Sequence, residues 1–508
     1  MARYNDPFVL VYWHYSLQDQ IGVEPAMERQ KFERKMVSFP KSDIWDKTTQ
    51  RSIDAVRAHI HRHPQPTISH IQNVSIQERP LKGPFHLVPD TLPAPIEDDI
   101  RQALFRTINY LGEIEYHQPT LAPIPVEWIG KMACELGPKI APSTDRRRHL
   151  AKLTMDCTTD LTILHVHGGA FLYVYRQILL GHQEYWYFRS QGSPRSYRPT
   201  TSKLASLSGG RVISIEYRLS PQNVFPTAVL DVLIAYLSLL YPSPFSDHKP
   251  VDPSRIVFAG DSAGGVLLFC VIQVLLHMVS HGPLLFHSHT IPLPIPVPSG
   301  IAVLSLVGDF LHSLPSFEAN RVHDIFLEVP WYHLDYPSCP IWPTSPPRPD
   351  IYCPTASCLH PLVTLALVKS WVGAPPIWLA SGEELFADGA KAVARRAALQ
   401  DVDITWTQFD AMPHCFPMVP GLTHSRQARM LMEKWATFCR ECVDGSIVGR
   451  KRVKASRVGF KDAREQHVDL EDLRDPSLYD NELMIKAKVQ VVDKVFKEEL
   501  CLGFHPKL

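Results

Sequence analysis

From about Ala151 onward, apolar and polar positions fall into a strand–helix rhythm that the preceding residues lack. Leu161–Val166, Arg211–Glu216 and Val257–Gly260 are short apolar runs, the first two rich in β-branched residues, which predicts buried strands. Gly300–Leu306, Ile377–Ala380 and Val402–Phe409 predict three more. Between them, helices are predicted at Val229–Leu240, Val266–Val279, Asp388–Leu399 and Thr423–Cys439. This alternation implies an α/β class, with a mostly parallel sheet covered by helices on both faces. Prolines alternate through Ile291–Pro298, which excludes a central strand and predicts an extended connector.

Residues 311–361, rich in proline and aromatics such as Trp331, Tyr332 and Trp342, predict an irregular insertion. Upstream, Ile100, Ala103, Leu104, Ile108 and Leu111 recur at helical spacing and predict an amphipathic helix over Ile96–Leu111. Residues 1–95 stay unassigned, with an apolar run at Phe8–Trp13, a charged helical stretch at Glu28–Lys35 and a His-rich turn at His59–His63. Residues 443–508 form a charged tail, in which Arg450–Lys454 is a solvated linker rather than a targeting signal. No internal repeat is visible.

Composition narrows the function classes. Lys plus Arg and Asp plus Glu both number 52, so net charge gives no reason to expect nucleic acid as a partner. The ten cysteines are scattered, and Cys439-x-x-Cys442 stands alone, without a second pair at zinc spacing. The first residues lack a signal peptide's basic start and apolar run, and the longest apolar run is too short to span a bilayer. A soluble cytoplasmic protein of unknown oligomeric state is expected, with room for peripheral membrane contact through an N-terminal amphipathic piece.

The candidate chemistry centres on Gly260-Asp261-Ser262-Ala263-Gly264, between a predicted strand and a predicted helix. Glycines two places either side of a serine allow a sharp turn that holds the hydroxyl out, and the helix start supplies unpaired N–H groups. A serine hydroxyl needs a base within reach, and the base needs an orienting carboxylate. Downstream, Ser381–Asp388 follows one strand and carries Glu383, Glu384 and Asp388; His414 follows the next. Upstream, His167-Gly168-Gly169-Ala170 follows an earlier strand, where glycines let backbone N–H groups approach a developing oxyanion. His165 and His167 have no third metal ligand in view, so strand packing and loop organisation account for them.

These motifs resemble the hormone-sensitive-lipase-like branch of the α/β-hydrolase fold, including arylacetamide-deacetylase-type esterases. The matching pieces are His167–Phe171, Tyr217–Pro221, Phe225–Ala228, Gly260–Gly265, Ser381–Asp388 and Met412–Phe416, within about Leu161 to Phe438. The resemblance implies Ser262 as nucleophile, His414 as general base and acid, and Gly168, Gly169 and the Ala263 N–H as oxyanion hole. Registering the family's acid motif on Asp388 puts the acid at Glu384, with Glu383 and Asp388 as rivals. Ala170 departs from the family's third glycine. By the same analogy residues 96–150 hold a lid, with 96–142 over the site, and 151–442 form the catalytic domain.

The expected function is a serine carboxylester hydrolase for a small-to-medium hydrophobic or acetylated ester, with no metal or organic cofactor. An acyltransferase or amide deacetylase using the same three residues is the alternative, as is a non-catalytic small-molecule binding protein on the same fold.

Overall fold

The computed structural model describes residues 39–61, 65–133, 145–169, 192–327, 336–345, 348, 350–447 and 453–468. The readings at Phe8–Trp13, Glu28–Lys35, His63, Ala170, Phe171, Trp331, Tyr332 and Arg450–Arg452 lie outside them. The chain divides into two units, Met1–Lys41 and Ser42–Leu508, and the sheet and the candidate site belong to the second.

That unit opens with helices α1 (Lys47–Ile60) and α2 (Ile68–Ser75). Then come β1 (Phe85–Leu92), α3 (Asp99–Leu111), β2 (Ile124–Lys131), α4 (Arg146–Asp156), β3 (Thr162–Val166) and α5 (Pro194–Ser208). Next are β4 (Arg211–Ile215), α6 (Thr227–Leu240), β5 (Ile256–Asp261), α7 (Ser262–Leu276) and a hairpin of β6 (Leu284–Phe286) and β7 (His289–Ile291). β8 (Gly300–Leu304), the short α8 (Ser316–Ala319), β9 (Ile377–Gly382), α9 (Ala387–Ala398), β10 (Ile404–Phe409) and α10 (Arg426–Asp444) follow. β11 (Val453–Val458) and β12 (Glu465–His467) complete the described elements.

Ten strands form one sheet in the order β1-β2-β4-β3-β5-β8-β9-β10-β11-β12. The seven from β4 to β11 are mutually parallel, and β1, β2 and β12 pair antiparallel at the margins. The predicted strands and helices from Leu161 to Cys439 are all present, with ends moved by a few residues; the last helix runs on to Asp444. β5 lies mid-sheet and is buried along its whole length, as are α6 and nearly all of α7. An apolar surface on every side has no wet face to offer, so these helices pack inward.

Glycine sets the close contact between α7 and the sheet. A Cβ on Gly264 would stand 2.1 Å from the Val166 carbonyl oxygen and 2.5 Å from that of His167. No side chain fits there, so Gly264 lets the helix start directly against β3.

Three sequence-based assignments change. Residues 124–131, expected in a lid, are strand β2 of the sheet. Helix α3, also expected over the site, lies at the far end of α7: Arg106 Nε donates to Val279 O at 3.2 Å, and Val279 N donates to Thr107 Oγ1 at 3.0 Å. A fifteen-residue helix is about 22 Å long, which separates α3 from Ser262. Residues 42–61 and 65–75, read as part of an unassigned extension, instead pack on the loops around the site. Trp45 Nε1 donates to Ala411 O at 2.6 Å, Gln72 Nε2 to Ser220 O at 2.7 Å, and Ser193 Oγ to Ser75 O at 2.6 Å.

The third change concerns the tail. β11 pairs in parallel with β10 from Ile404↔Val453 to Phe409↔Val458, and Ala455 and Val458, on opposite faces of the strand, are both buried. The polar look of Val-Lys-Ala-Ser-Arg-Val reflects only its more exposed positions. Val458→Asp should therefore destabilise the fold by about 2–4 kcal/mol, because a charge would be buried without a partner. Thermal unfolding measures it, and an unchanged melting temperature would return this stretch to a solvated linker.

Candidate active site

Four strand ends converge on the site. β5 delivers Ser262 at a turn with φ +49°, a left-handed backbone that costs a non-glycine residue about 1–3 kcal/mol and persists only where its surroundings enforce it. The fixed start of α7 at Gly264 enforces it here. Ser262 keeps 8% of its surface exposed, while its neighbours in the turn are more deeply buried.

β10 delivers the histidine. His414 Nε2 lies 2.9 Å from Ser262 Oγ. Its loop is pressed against the end of β9: a Cβ on Gly382 would stand 2.0 Å from Met412 O. The Phe386 ring meets the imidazole edge-on at 4.9 Å between centroids, and Phe326 sits at 5.4 Å, so its free faces are dry.

β9 delivers three carboxyl groups in different directions. Glu384, fully buried, brings Oε1 to 3.4 Å from His414 Nδ1, longer than an ordinary hydrogen bond. Its other oxygen accepts from Ser305 Oγ at 2.9 Å, and Ser305 Oγ accepts in turn from Cys415 N at 3.0 Å. Glu383 points away, accepting from Ala411 N at 2.9 Å and standing 3.4 Å from Arg457. Asp388 accepts from Ser316 N at 2.8 Å and fixes α8 to α9. Of the three rivals, only Glu384 faces the imidazole.

The glycines after β3 divide. Gly168 N donates to the Tyr197 hydroxyl at 3.1 Å, and that hydroxyl donates to Asp261 Oδ2 at 2.8 Å. The Gly168 N–H is thus already used, a departure from its expected place in an oxyanion hole. Gly169 lies at φ +112°, and Ala263 stands in the first turn of α7. His165 and His167 are packing residues. His165 Nδ1 lies 3.2 Å from Ser214 Oγ, and His167 stacks on Tyr217 at 4.3 Å. Burial lowers their pKa values to about 3 and about 4, which keeps both neutral.

Charge around His414 is unusual. Burial opposes the imidazolium, but Glu384, Asp324 and Asp261 together outweigh it and hold the His414 pKa above its ordinary value. Burial also raises Asp261 and Asp324 to about 6 each, against the pull of their hydrogen bonds and of His414. Asp324, Ser305 and Tyr197 had no part in the sequence reading. Their link to the site runs through tertiary contacts at separations of 64–90 residues, and no local pattern marks them. Asp261 was inside the quoted motif, but nothing in the motif says which way its carboxylate turns. Among the described residues no cluster of three His, Cys, Asp or Glu side chains suits a metal ion, and no helix is long and apolar enough to cross a membrane.

The signature of the α/β hydrolase fold matches residues 163–288. An acetyl-hydrolase of Streptomyces hygroscopicus is 25% identical over 269 residues, 53% of this chain and 72% of that protein. Human arylacetamide deacetylase-like 3 is 30% identical over 119 residues, 23% of this chain and 24% of that protein. The crystal structure of an esterase/lipase from an uncultured bacterium superposes with a TM-score of 0.51 at 16% identity, covering 79% of this chain and all of the other; that likeness concerns the fold. The fold is that of the α/β hydrolases, and the relatives the chain resembles are an acetyl-hydrolase and an arylacetamide deacetylase-like protein.

Proposed function

We propose that this chain is a serine carboxylester hydrolase that cleaves a small-to-medium hydrophobic or acetylated ester through an acyl-enzyme intermediate. The observation that carries the reading is the 2.9 Å contact between Ser262 Oγ and His414 Nε2, with Glu384 on the far nitrogen. The names of the Streptomyces and human relatives, an acetyl-hydrolase and a deacetylase-like protein, support the acetyl end of that range.

In the first half, His414 Nε2 takes the hydroxyl proton as Ser262 Oγ bonds to the ester carbonyl carbon. Glu384 holds the ring and stabilises the imidazolium that forms. The carbonyl oxygen becomes an anion at the N–H groups of Ala263 and Gly169, the donors left to it once Gly168 is committed to Tyr197. His414 then returns its proton to the alkoxide leaving group, and the alcohol departs. In the second half a water attacks the acyl-serine in the same manner, giving the acid and the free hydroxyl.

Ser262→Ala should abolish both fluorophosphonate labelling and p-nitrophenyl acetate hydrolysis, a loss of at least about 10⁴-fold. Labelling that survives the substitution would reject Ser262 as nucleophile. Glu384→Gln should lower kcat on the order of 10³-fold, whereas Glu383→Gln and Asp388→Asn should each stay within about tenfold of wild type. A ranking with Glu383→Gln worst would overturn the assignment of the acid.

The pH profile follows from the charges. His414 acts as base only when neutral, and its pKa is raised, so kcat/KM should fall with decreasing pH through a midpoint above about 6.5. A midpoint below that value would mean that burial outweighs the neighbouring carboxylates.

A further inference from the structure

Asp324 is a buried carboxylate to which the reaction above gives no task. It stands at the end of a short turn, Arg321–His323, in the insertion after β8, far in sequence from both triad loops. Its two oxygens nevertheless reach both. Oδ2 accepts from Leu385 N at 2.7 Å, the residue after Glu384. Oδ1 accepts from the backbone N of His414 at 3.2 Å and from Ile325 N at 2.6 Å. One side chain thus joins the loop carrying the acid to the loop carrying the base.

Asp324 is itself held from the N-terminal side. Arg57 of α1, with no exposed surface, donates to the carbonyl oxygens of Asp324 and Val322 at 2.9 Å each. A third donation reaches Arg321 O at 3.4 Å, and Asp54 lies at 3.4 Å from the guanidinium. A fully buried guanidinium is expensive unless its donors are occupied. Three carbonyls from one turn therefore fix that turn to α1.

We propose that Asp324 is a positioning residue for the catalytic histidine: its carboxylate fastens the Glu384 loop to the His414 loop, and α1 holds it there through Arg57. This deepens the esterase reading and rests on it. Two consequences separate positioning from mere structural support. Glu383, through Ala411 N, and Ser305, between Glu384 Oε2 and Cys415 N, also link the two loops, but Asp324 is the side chain that accepts from the backbone N of His414 itself. Asp324 also adds negative charge beside the imidazole. The charged and titratable groups facing this pair are Glu384 from the β9 loop, Asp261 at the end of β5, Cys415 beside the histidine and Arg57 from α1.

The test is Asp324→Asn in the full chain, assayed with p-nitrophenyl acetate from acid to alkaline pH. The amide keeps one accepting oxygen and removes the other along with the charge. The expected result is a fall in kcat on the order of tenfold with KM nearly unchanged. The acid-limb midpoint of kcat/KM should move down by about half a pH unit or more, since an anion that favoured the imidazolium is gone. Values of kcat and midpoint within about twofold and about 0.2 unit of wild type would overturn the proposal. Should this variant not fold, Asp324→Glu carries the test. It keeps the charge but displaces the carboxylate, so kcat should fall while the midpoint stays; a wild-type kcat overturns the proposal. Ser262→Ala in the same assay separates the two readings. If it is inactive while Asp324→Asn behaves as wild type, only the positioning role fails; if it is active, the esterase reading fails with it.

Discussion

The site depends on keeping a neutral, protonatable imidazole in a dry pocket within hydrogen-bond reach of Ser262. Burial alone would push His414 toward permanent neutrality, and it could not then carry a proton during the reaction. Glu384, Asp324 and Asp261 supply enough negative potential to reverse that tendency. The carboxylates in turn are buried, and each is held by donors: Ser305 on Glu384, Tyr197 on Asp261, and backbone N–H groups on Asp324. Three acids around one base thus form a balanced set, in which removing any one shifts the others.

Backbone proximity makes the balance possible. The four contributing strands end at one edge of the sheet. Two glycines let their loops touch without an intervening side chain, Gly264 against the end of β3 and Gly382 against the histidine loop. The strained Ser262 and the left-handed Ser305, Ala411 and Cys415 cluster on the same rim. Strain gathered where loops are clamped between packed strands is the form expected of a preorganised site.

Much of this was legible in the chain, for a physical reason. Strands buried on both faces are largely apolar, so β3, β5, β8 and β9 announce themselves, and the candidate groups sit just beyond β3, β5, β9 and β10. Ser262, His414 and the Ser381–Asp388 loop were found that way. β1 and β11 escaped because their buried positions are partly polar or small. His86 and Asp90 on β1 face inward and are matched by Asp156 and Arg146 of α4, at 2.8 and 3.2 Å. Such pairing cannot be read until the partner is known. The choice among Glu383, Glu384 and Asp388 was likewise open, because neighbouring loop residues diverge only once the loop is folded. Gly168 shows the opposite case: it looked like an oxyanion donor until Tyr197, from a helix further along, was seen to use its N–H.

The return of the chain after α10 bears on how the molecule is made. β10, which presents His414, lies between β9 and a strand that begins at Val453. As the polypeptide emerges from N to C terminus, every residue of the proposed triad is synthesised before that strand exists. Over this interval β10 is an open edge of unpaired N–H and C=O groups, available to other chains. At that stage the chain holds every residue of the proposed triad but lacks the strands that extend the sheet beyond β10. β12 then pairs with β11 over Ser456–Val458 and becomes the margin of the described sheet, while the exposed Lys454 lies on β11 outside that pairing.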